Sequence, residues 1–349
     1  MIRNQRPFRP AAFGRSDAAV LAGAMLSAAA LVWIVFSQLA PVHGAVVPVL
    51  AWAGAFLFVY WFVVRETEGR VAATDRVVGV VIASVAIGLL VPLVFILAFV
   101  LARGARSLGA NFFTQTLQYV GPLDPATAGG ALHAIIGTLE QVGIATVIAV
   151  PLSMLTAVLL SEVGGRLVRP VRLFVDAMSG VPSIVAGLFV FALWVVGLHR
   201  GFSGLAAGLA LAVLMIPTIT RTTEEVLRLV PGGIREASLA LGATEWRTTW
   251  GVVLPTARSG LVTAVILGIA RGIGETAPLI MTAFGASVLN ANPVHGAQES
   301  LPLYIYRNVK SSLPAQIDRA YAGALALLSL VLVLFVAARV IGGRRKARP

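Results

Sequence analysis

The residues best suited to chemistry in this sequence are a charged pair inside an apolar segment. Arg271 and Glu275 lie four residues apart within Leu261–Phe284, so on a helix they would share one face and could form an ion pair. A charge inside a bilayer is costly unless it faces a cavity or a partner, and a guanidinium group has the geometry to hold oxyanion oxygens. The pair therefore predicts an anion pathway, with attachment between helices as the alternative.

The residues around this pair favour a bend in the helix. Gly272 and Gly274 carry no side chain, and the ring of Pro278 clashes with the carbonyl group of Gly274 and removes one backbone hydrogen bond. A kink is therefore predicted beside the charged pair. An anion pathway requires a positive charge and open space beside it. The arginine would supply the charge, and the kink and the two glycines would supply the space.

A second informative segment is the polar stretch 221–258, which separates two apolar blocks. A short helix is predicted over Ile234–Leu241 after the sequence Pro231-Gly232-Gly233. Gly242 is placed to end this helix in the left-handed conformation, and Thr244 can cap a second short helix. The pattern predicts a helix–glycine–helix elbow between two membrane spans.

The composition of this elbow indicates docking rather than catalysis. Glu236 lies in the first helical turn, where a carboxylate suits the helix dipole. Ala237 and Ser238 are small and would let a partner surface approach the backbone. Pro255 is placed to begin the next apolar helix. Such a protruding elbow is suited to transmitting motion.

Several kinds of chemistry are excluded by what the sequence lacks. The chain has no cysteine, and its four histidines show no spacing typical of metal ligands. No G-x-x-x-x-G-K-[ST] sequence occurs, so any ATP must be hydrolysed on another protein. No constellation of histidine, cysteine and carboxylate supports an enzyme. The prediction is a non-enzyme that binds no metal and no cofactor of its own.

The elements that position these residues are apolar blocks. The chain is 58% hydrophobic and only 12% charged, and a helix of about 20 apolar residues crosses a bilayer. The sequence therefore predicts an all-α polytopic membrane protein with about eight transmembrane helices. The predicted spans are Ala18–Ala40, Val46–Val64, Val77–Ala102, Gly137–Leu160, Leu173–Leu198, Leu205–Ile219, Leu261–Phe284 and Ala320–Val340.

The distribution of basic residues predicts the orientation. Twenty of the 27 basic residues fall in alternate loops and the two termini, six in the opposite loops, and Arg271 lies inside a span. This asymmetry follows the positive-inside rule, so both termini are predicted in the cytoplasm and the net charge of +12 is not a nucleic-acid signal. Residues 1–76 are expected to form a cytoplasmic tail, an accessory hairpin turning at Pro41–Ala45 and a polar linker, Arg65–Arg76.

The elbow resembles the EAA-x3-G-x9-I-x-L-P signature of bacterial ABC importer permeases. Glu236-Ala237-Ser238, Gly242 and Leu254-Pro255 stand at the matching positions, with serine for the last alanine and Val252 for isoleucine. The resemblance implies a coupling helix at about 232–250 that docks on a cytoplasmic ATPase. It also implies a six-helix permease domain over 77–342, followed by a basic cytoplasmic tail, 343–349.

The segment around the charged pair is similar to one branch of these permeases. RGIGETAPL resembles the R-x-x-G-E-T-A-P-L segment of the PstA-type phosphate importers, which implies a substrate pathway formed by Arg271, Glu275, Thr276 and Arg221. An interfacial anchor is the alternative interpretation of Arg221.

The resemblance also implies partners and a location. The expected partners are a PstC-like permease as the other half of a heterodimer, a PstB-like ATPase dimer that carries ATP and Mg²⁺, a periplasmic phosphate-binding protein and the lipid bilayer. The expected location is the bacterial inner membrane. A permease for molybdate, sulfate or phosphonate is the first alternative, and an ion-coupled secondary transporter is the second.

Overall fold

The computed structural model describes residues 14–39 and 44–343. Three predicted features lie wholly or partly outside these ranges: the basic N-terminal tail 1–13, most of the turn at Pro41–Ala45, and the basic C-terminal tail from 344 onward. Within the described ranges the chain is helical, and one backbone bridge joins Phe284 and Gln298.

The described ranges contain fourteen α-helices. They are α1 (Arg15–Ile34), α2 (Val46–Glu68), α3 (Arg70–Gly104), α4 (Ala110–Thr114), α5 (Leu132–Val158), α6 (Val168–Ser179), α7 (Ser183–Val190), α8 (Gly204–Arg228), α9 (Gly232–Ala240), α10 (Glu245–Thr248), α11 (Leu254–Ile273), α12 (Ala277–Thr282), α13 (Leu301–Val309) and α14 (Pro314–Gly343). A 3₁₀ turn, Ala105–Ser107, follows α3. Wider π-helical turns follow four helices: Val35–Leu39 after α1, Leu159–Val163 after α5, Phe191–Gly197 after α7 and Thr249–Val253 after α10.

The chain divides into two compact units, up to Ile96 and from Leu97 onward. In the first unit, α1 and α2 pack together with the start of α3, and the aromatic side chains of Phe56 and Tyr60 are buried among alanines. Arg76 pairs with Asp17 and with Glu68. The residues of the expected polar linker Arg65–Arg76 are helical on both sides of Gly69, because α2 continues to Glu68 and α3 begins at Arg70.

In the second unit, α5, α8 and α11 form the centre. Leu211, Met215 and Ile219 of α8 are fully buried there. Glycines let the helices approach each other: Gly208 of α8 faces Ile144 of α5, and Gly268 of α11 faces Ile219. Small residues at helix contacts are the usual packing device inside a membrane, where lipid offers no hydrophobic driving force between helices.

The number of spans agrees with the sequence prediction. Seven of the described helices are long and apolar enough to cross a membrane, and a bent helix pair raises the number to as many as eight. The prediction of an all-α polytopic membrane protein is confirmed.

The bent pair corrects one predicted span, Leu173–Leu198. The chain turns by 106° between α6 and the helix Ser183–Gly197, so no straight helix crosses here. Gly180 ends α6, and Pro182 precedes α7 in an extended conformation with φ −59° and ψ 141°. Proline disfavours helical geometry at the residue before it, and this is why the predicted continuous span is broken here.

The segment that precedes α13 is bonded to α5 by side chains. Gln141 of α5 donates to the Gln298 side chain at 3.0 Å and to the Glu299 carbonyl at 3.3 Å. The Leu301 amide donates to Thr138 Oγ1 at 2.7 Å. At the same place, a Cβ atom on Gly137 would overlap the Glu299 carbonyl oxygen. Residues 298–301 are therefore fixed against the helix by buried polar groups.

Replacing Gly137 with alanine is expected to destabilise the second unit, because a methyl group would meet a backbone carbonyl that is itself held in place. Overpacking of this kind costs about 3 kcal/mol. The matched control is Gly143→Ala on the same helix, where a Cβ atom meets no described atom within 4 Å. Thermal denaturation of the detergent-solubilised protein should show a lower midpoint for Gly137→Ala only; equal midpoints would contradict the close approach.

Candidate coupling and permeation site

The helix that carries Arg271 is broken directly after it. α11 ends at Ile273, and α12 begins at Ala277. Glu275 lies between the two helices, so its position four residues after Arg271 no longer places it on the same helical face. Among the described residues, Arg271 and Glu275 form no ion pair, and the expected pairing was wrong.

Arg271 instead contacts α8. Its Nη1 donates to Thr218 Oγ1 at 3.2 Å, and the rest of the side chain is exposed on the surface of this chain. An arginine within an apolar span is costly against lipid, so this surface must face a water-filled space or a polar partner. The guanidinium group keeps most of its donors free for a ligand.

The small residues near the break make two helix contacts. Gly272 is buried against Met215 of α8, and Gly187 of α7 lies against Pro278 of α12. A Cβ atom on Gly274 would meet no described atom within 4 Å, so this glycine leaves open space beside Glu275. Thr276 precedes α12 and is half-buried. The broken segment is thus packed on one side and open at Gly274.

The predicted pathway residue Arg221 belongs to an ion cluster between α6 and α8. Glu224 is 3% exposed and accepts from Arg172 at 2.6 Å, from Arg228 at 2.6 Å and from Arg221 at 3.0 Å. Arg221 also pairs with Asp176 of α6. Each helix therefore sends an arginine to a carboxylate of the other, which ties the bent pair to α8.

Arg271 of α11 contacts the same side of α8 that carries Arg221. Thr218, which binds Arg271, precedes Arg221 by three residues, and this spacing places both on one helical face about one turn apart. Arg221 is one-third exposed. The structure therefore brings two of the predicted pathway arginines to neighbouring positions, and Glu275 is not paired with either of them among the described residues.

The elbow has the predicted geometry. Gly242 has φ +83°, its amide donates to the Leu239 carbonyl, and the Ala243 amide donates to the Ser238 carbonyl. These two bonds form the Schellman motif that ends a helix at glycine. Thr244 caps α10 by accepting from the Arg247 amide at 3.3 Å.

The serine that departs from the family pattern has a structural partner. The hydroxyl groups of Ser238 and Thr248 lie 2.9 Å apart, which joins α9 to α10. Leu254 is half-buried and packs against the apolar cluster that contains Val253, and Pro255 is exposed in the first turn of α11. The signature residues thus hold the elbow in shape and connect it to the following span.

The outer face of the elbow is open. No residue of α9 is buried, Glu236 and Ala237 are exposed, and the apolar side chains of Leu241 and Trp246 are 90% and 65% exposed. Large apolar side chains exposed on a polar loop are typical of a protein interface. The exposed side of the elbow is suited to receive another protein.

The opposite side of the elbow is anchored by Arg235. This side chain binds Glu162, in the π-helical turn after α5, through two bonds of 2.8 and 3.0 Å. It also donates to the carbonyls of Leu227, in the last turn of α8, and of Val230, just after α8. The Glu162 carboxylate raises the pKa of Arg235 above its ordinary value by accepting these bonds. Any force on α9 therefore reaches α5 and α8.

Replacing Arg235 with glutamine is expected to loosen the elbow. Charge-assisted bonds to a mostly buried carboxylate contribute about 1.5 kcal/mol or more, so amide hydrogen exchange over residues 232–248 should accelerate about tenfold. The control is Arg166→Gln, since Arg166 is exposed and forms no ion pair among the described residues. Similar exchange in both variants would contradict the anchoring role.

Three residues of this site were missed by the sequence analysis. Glu224 could have been found, because Arg221 precedes it by three residues and Arg228 follows it by four. Both spacings place the charges side by side on a helix. Glu162 and Arg235 are 73 residues apart, and no local pattern connects them.

The comparison with known proteins assigns this chain to a family. Residues 149–347, more than half of the chain, match the family described as the binding-protein-dependent transport system inner membrane component. The chain belongs to this family of permeases. It is a multi-pass membrane protein and a transport subunit, and its membership implies an ATPase and a binding protein as partners.

Curated relatives narrow the position within the family. The phosphate transport system permease protein PstA 1 of Mycobacterium tuberculosis is 41% identical over 290 residues, which cover 82% of this chain and 92% of the relative. PstA of Haemophilus influenzae is 35% identical, with 82% and 97% covered. A chain of the inward-facing MetNI methionine ABC transporter is 24% identical over 62% of this chain, with a TM-score of 0.45. The two PstA relatives place the chain in the PstA group and confirm the resemblance found in the segment RGIGETAPL.

Proposed function

We propose that this chain forms half of the phosphate pathway of an ATP-driven importer. The observation that carries the proposal is the similarity to PstA proteins, which extends over almost the whole length of these relatives. The exposed guanidinium of Arg271, beside a broken helix and one turn from Arg221, supports an oxyanion as the cargo. The pathway would form where this face meets a second permease.

The proposed partners are a PstC-like permease, a pair of PstB-like ATPase subunits and a periplasmic phosphate-binding protein. ATP and Mg²⁺ would bind the ATPase subunits. Their closure on ATP would move α9, and Arg235 would carry the movement to α5 and α8. The arginine-bearing face would then alternate between the two sides of the membrane.

We place the protein in the bacterial inner membrane with both termini in the cytoplasm. The asymmetry of basic residues supports this orientation. Every described ion pair of the second unit also joins residues predicted on the same side, such as Arg235 with Glu162 and Arg307 with Glu299. This agreement supports the predicted alternation of loops.

The proposal is tested by uptake of radiolabelled phosphate into vesicles that contain the complete complex, with binding protein outside and ATP inside. Uptake should require ATP and should resist competition by sulfate and molybdate. Flux that continues without nucleotide would contradict the ATP-driven mechanism. Competition by sulfate or molybdate as strong as that by unlabelled phosphate would contradict phosphate as the cargo.

The elbow offers a matched pair of variants for the same assay. Leu241→Glu places a charge on the exposed apolar face, and losing one docking anchor should lower uptake about fivefold. The control Leu167→Glu changes a leucine that is 64% exposed on another predicted cytoplasmic segment. Equal phosphate uptake by the two variants would contradict the docking of the ATPase on the exposed face of the elbow.

A further inference from the structure

A polar cavity of about 270 Å³ lies at the end of the second unit opposite the elbow. The segment 117–122, the start of α5, α13 and the start of α14 enclose it. Its lining includes His133, Glu299, Tyr304, Arg307 and Arg319. None of these residues belongs to the coupling elbow or to the Arg271 face.

Two buried side chains in this lining have donors that the protein does not use. His133 is 1% exposed, and neither ring nitrogen has a partner among the described residues. Arg319 is 3% exposed; its Nη2 donates to the carbonyls of Asp124 and Pro125 at 3.0 and 2.9 Å, whereas its Nε has no partner within the described ranges. Buried donors are nearly always hydrogen-bonded in native structures, so this pair indicates an acceptor that comes from outside the chain.

The charges of the lining favour an anion. Arg307 pairs with Glu299 at 2.8 Å, and no carboxylate within the described ranges pairs with Arg319. Burial raises the pKa of Glu299 to about 7 even though Arg307 donates to it, so the site disfavours a second negative charge less than an ordinary carboxylate would. Burial also raises the pKa of Tyr304, whose phenol therefore stays a donor. Among the described lining residues there are two guanidinium groups against one carboxyl group.

We propose that this cavity binds a small oxyanion, with Arg319 and Arg307 as the charged ligands and His133 and Tyr304 as further donors. Guanidinium groups match the oxygen spacing of oxyanions, and the cavity is too small for a large ligand. The identification of the anion as phosphate rests on the proposed function, but the binding site does not.

The test is equilibrium binding of radiolabelled inorganic phosphate to the purified permease–ATPase complex in nanodiscs, without binding protein or nucleotide. An Arg271→Gln background removes the pathway arginine. Arg319→Gln should weaken phosphate binding about tenfold, since one charge-assisted bond is lost. Glu299→Gln should tighten binding, because the negative charge that opposes the anion is removed. Lys310→Gln, which changes an exposed basic residue outside the cavity lining, should leave binding unchanged.

The opposite effects expected of two buried substitutions separate binding from misfolding, because a folding defect would weaken binding in both. Three results would overturn the proposal. They are weaker phosphate binding by Glu299→Gln, equal binding by Arg319→Gln and Lys310→Gln, and the absence of saturable binding of either phosphate or sulfate. Saturable binding of sulfate with vesicle uptake that excludes phosphate would keep this site and overturn only the proposed cargo. Normal phosphate uptake with no binding here would overturn only this inference.

Discussion

Replacing Glu224 with alanine is expected to prevent stable assembly of the second unit. The carboxylate is 3% exposed and binds three arginines, so its removal leaves like charges facing one another between α6 and α8. The three arginines are 33–59% exposed, so each lost charge-assisted bond contributes only about 1 kcal/mol, and the three together contribute about 3 kcal/mol. The yield of folded protein and its thermal midpoint in detergent should both fall sharply.

The adjacent residue provides the control. Glu225 is exposed and forms no ion pair within the described ranges, so Glu225→Ala should change the midpoint very little. Glu224→Gln keeps the shape of the side chain but loses its charge, and its thermal midpoint should lie between those of the two alanine variants. A Glu224→Ala protein as stable as Glu225→Ala would show that the arginines find other partners.

Replacing Arg271 with glutamine is expected to abolish most phosphate uptake while the protein still folds. The only described bond of this side chain goes to a neutral hydroxyl, so folding depends little on it. A charge-assisted bond to phosphate in a partly desolvated pathway contributes about 1.5–3 kcal/mol, which corresponds to a loss of about ten- to hundredfold. ATP-dependent uptake should be measured at matched protein levels.

The variant Thr218→Val separates the positioning of Arg271 from its charge. It removes the hydroxyl that accepts from Arg271 Nη1 and keeps the guanidinium, so most uptake should survive. Arg271→Lys should be intermediate, since an ammonium group keeps the charge without the fork geometry. Unchanged uptake in Arg271→Gln would exclude this residue from the pathway.

Local features of this chain could be predicted from the sequence because their causes are local. Gly242 ends α9 with a left-handed conformation, and Thr244 caps α10, as the residue types indicate. Long apolar blocks predicted the spans for a similar reason, since a bilayer requires helices of a given length.

The failures have a common physical origin in the helix breaks and in distant contacts. The pairing of Arg271 with Glu275 assumed a continuous helix, but α11 ends at Ile273. The predicted span Leu173–Leu198 assumed one continuous helix, whereas the chain turns by 106° after Gly180. The link between Arg235 and Glu162 depends on the tertiary fold, which no local pattern reports.

The bonds between α5 and residues 298–301 limit how this permease can be re-engineered. The contacts of this segment with Thr138 and Gly137 use backbone atoms of Leu301 and Glu299, so a transplanted segment can keep them whatever its side chains. The bond between Gln141 and Gln298 joins two side chains, so it is lost when the donor protein has no acceptor at position 298. A functional chimaera therefore has to exchange positions 141 and 298 together.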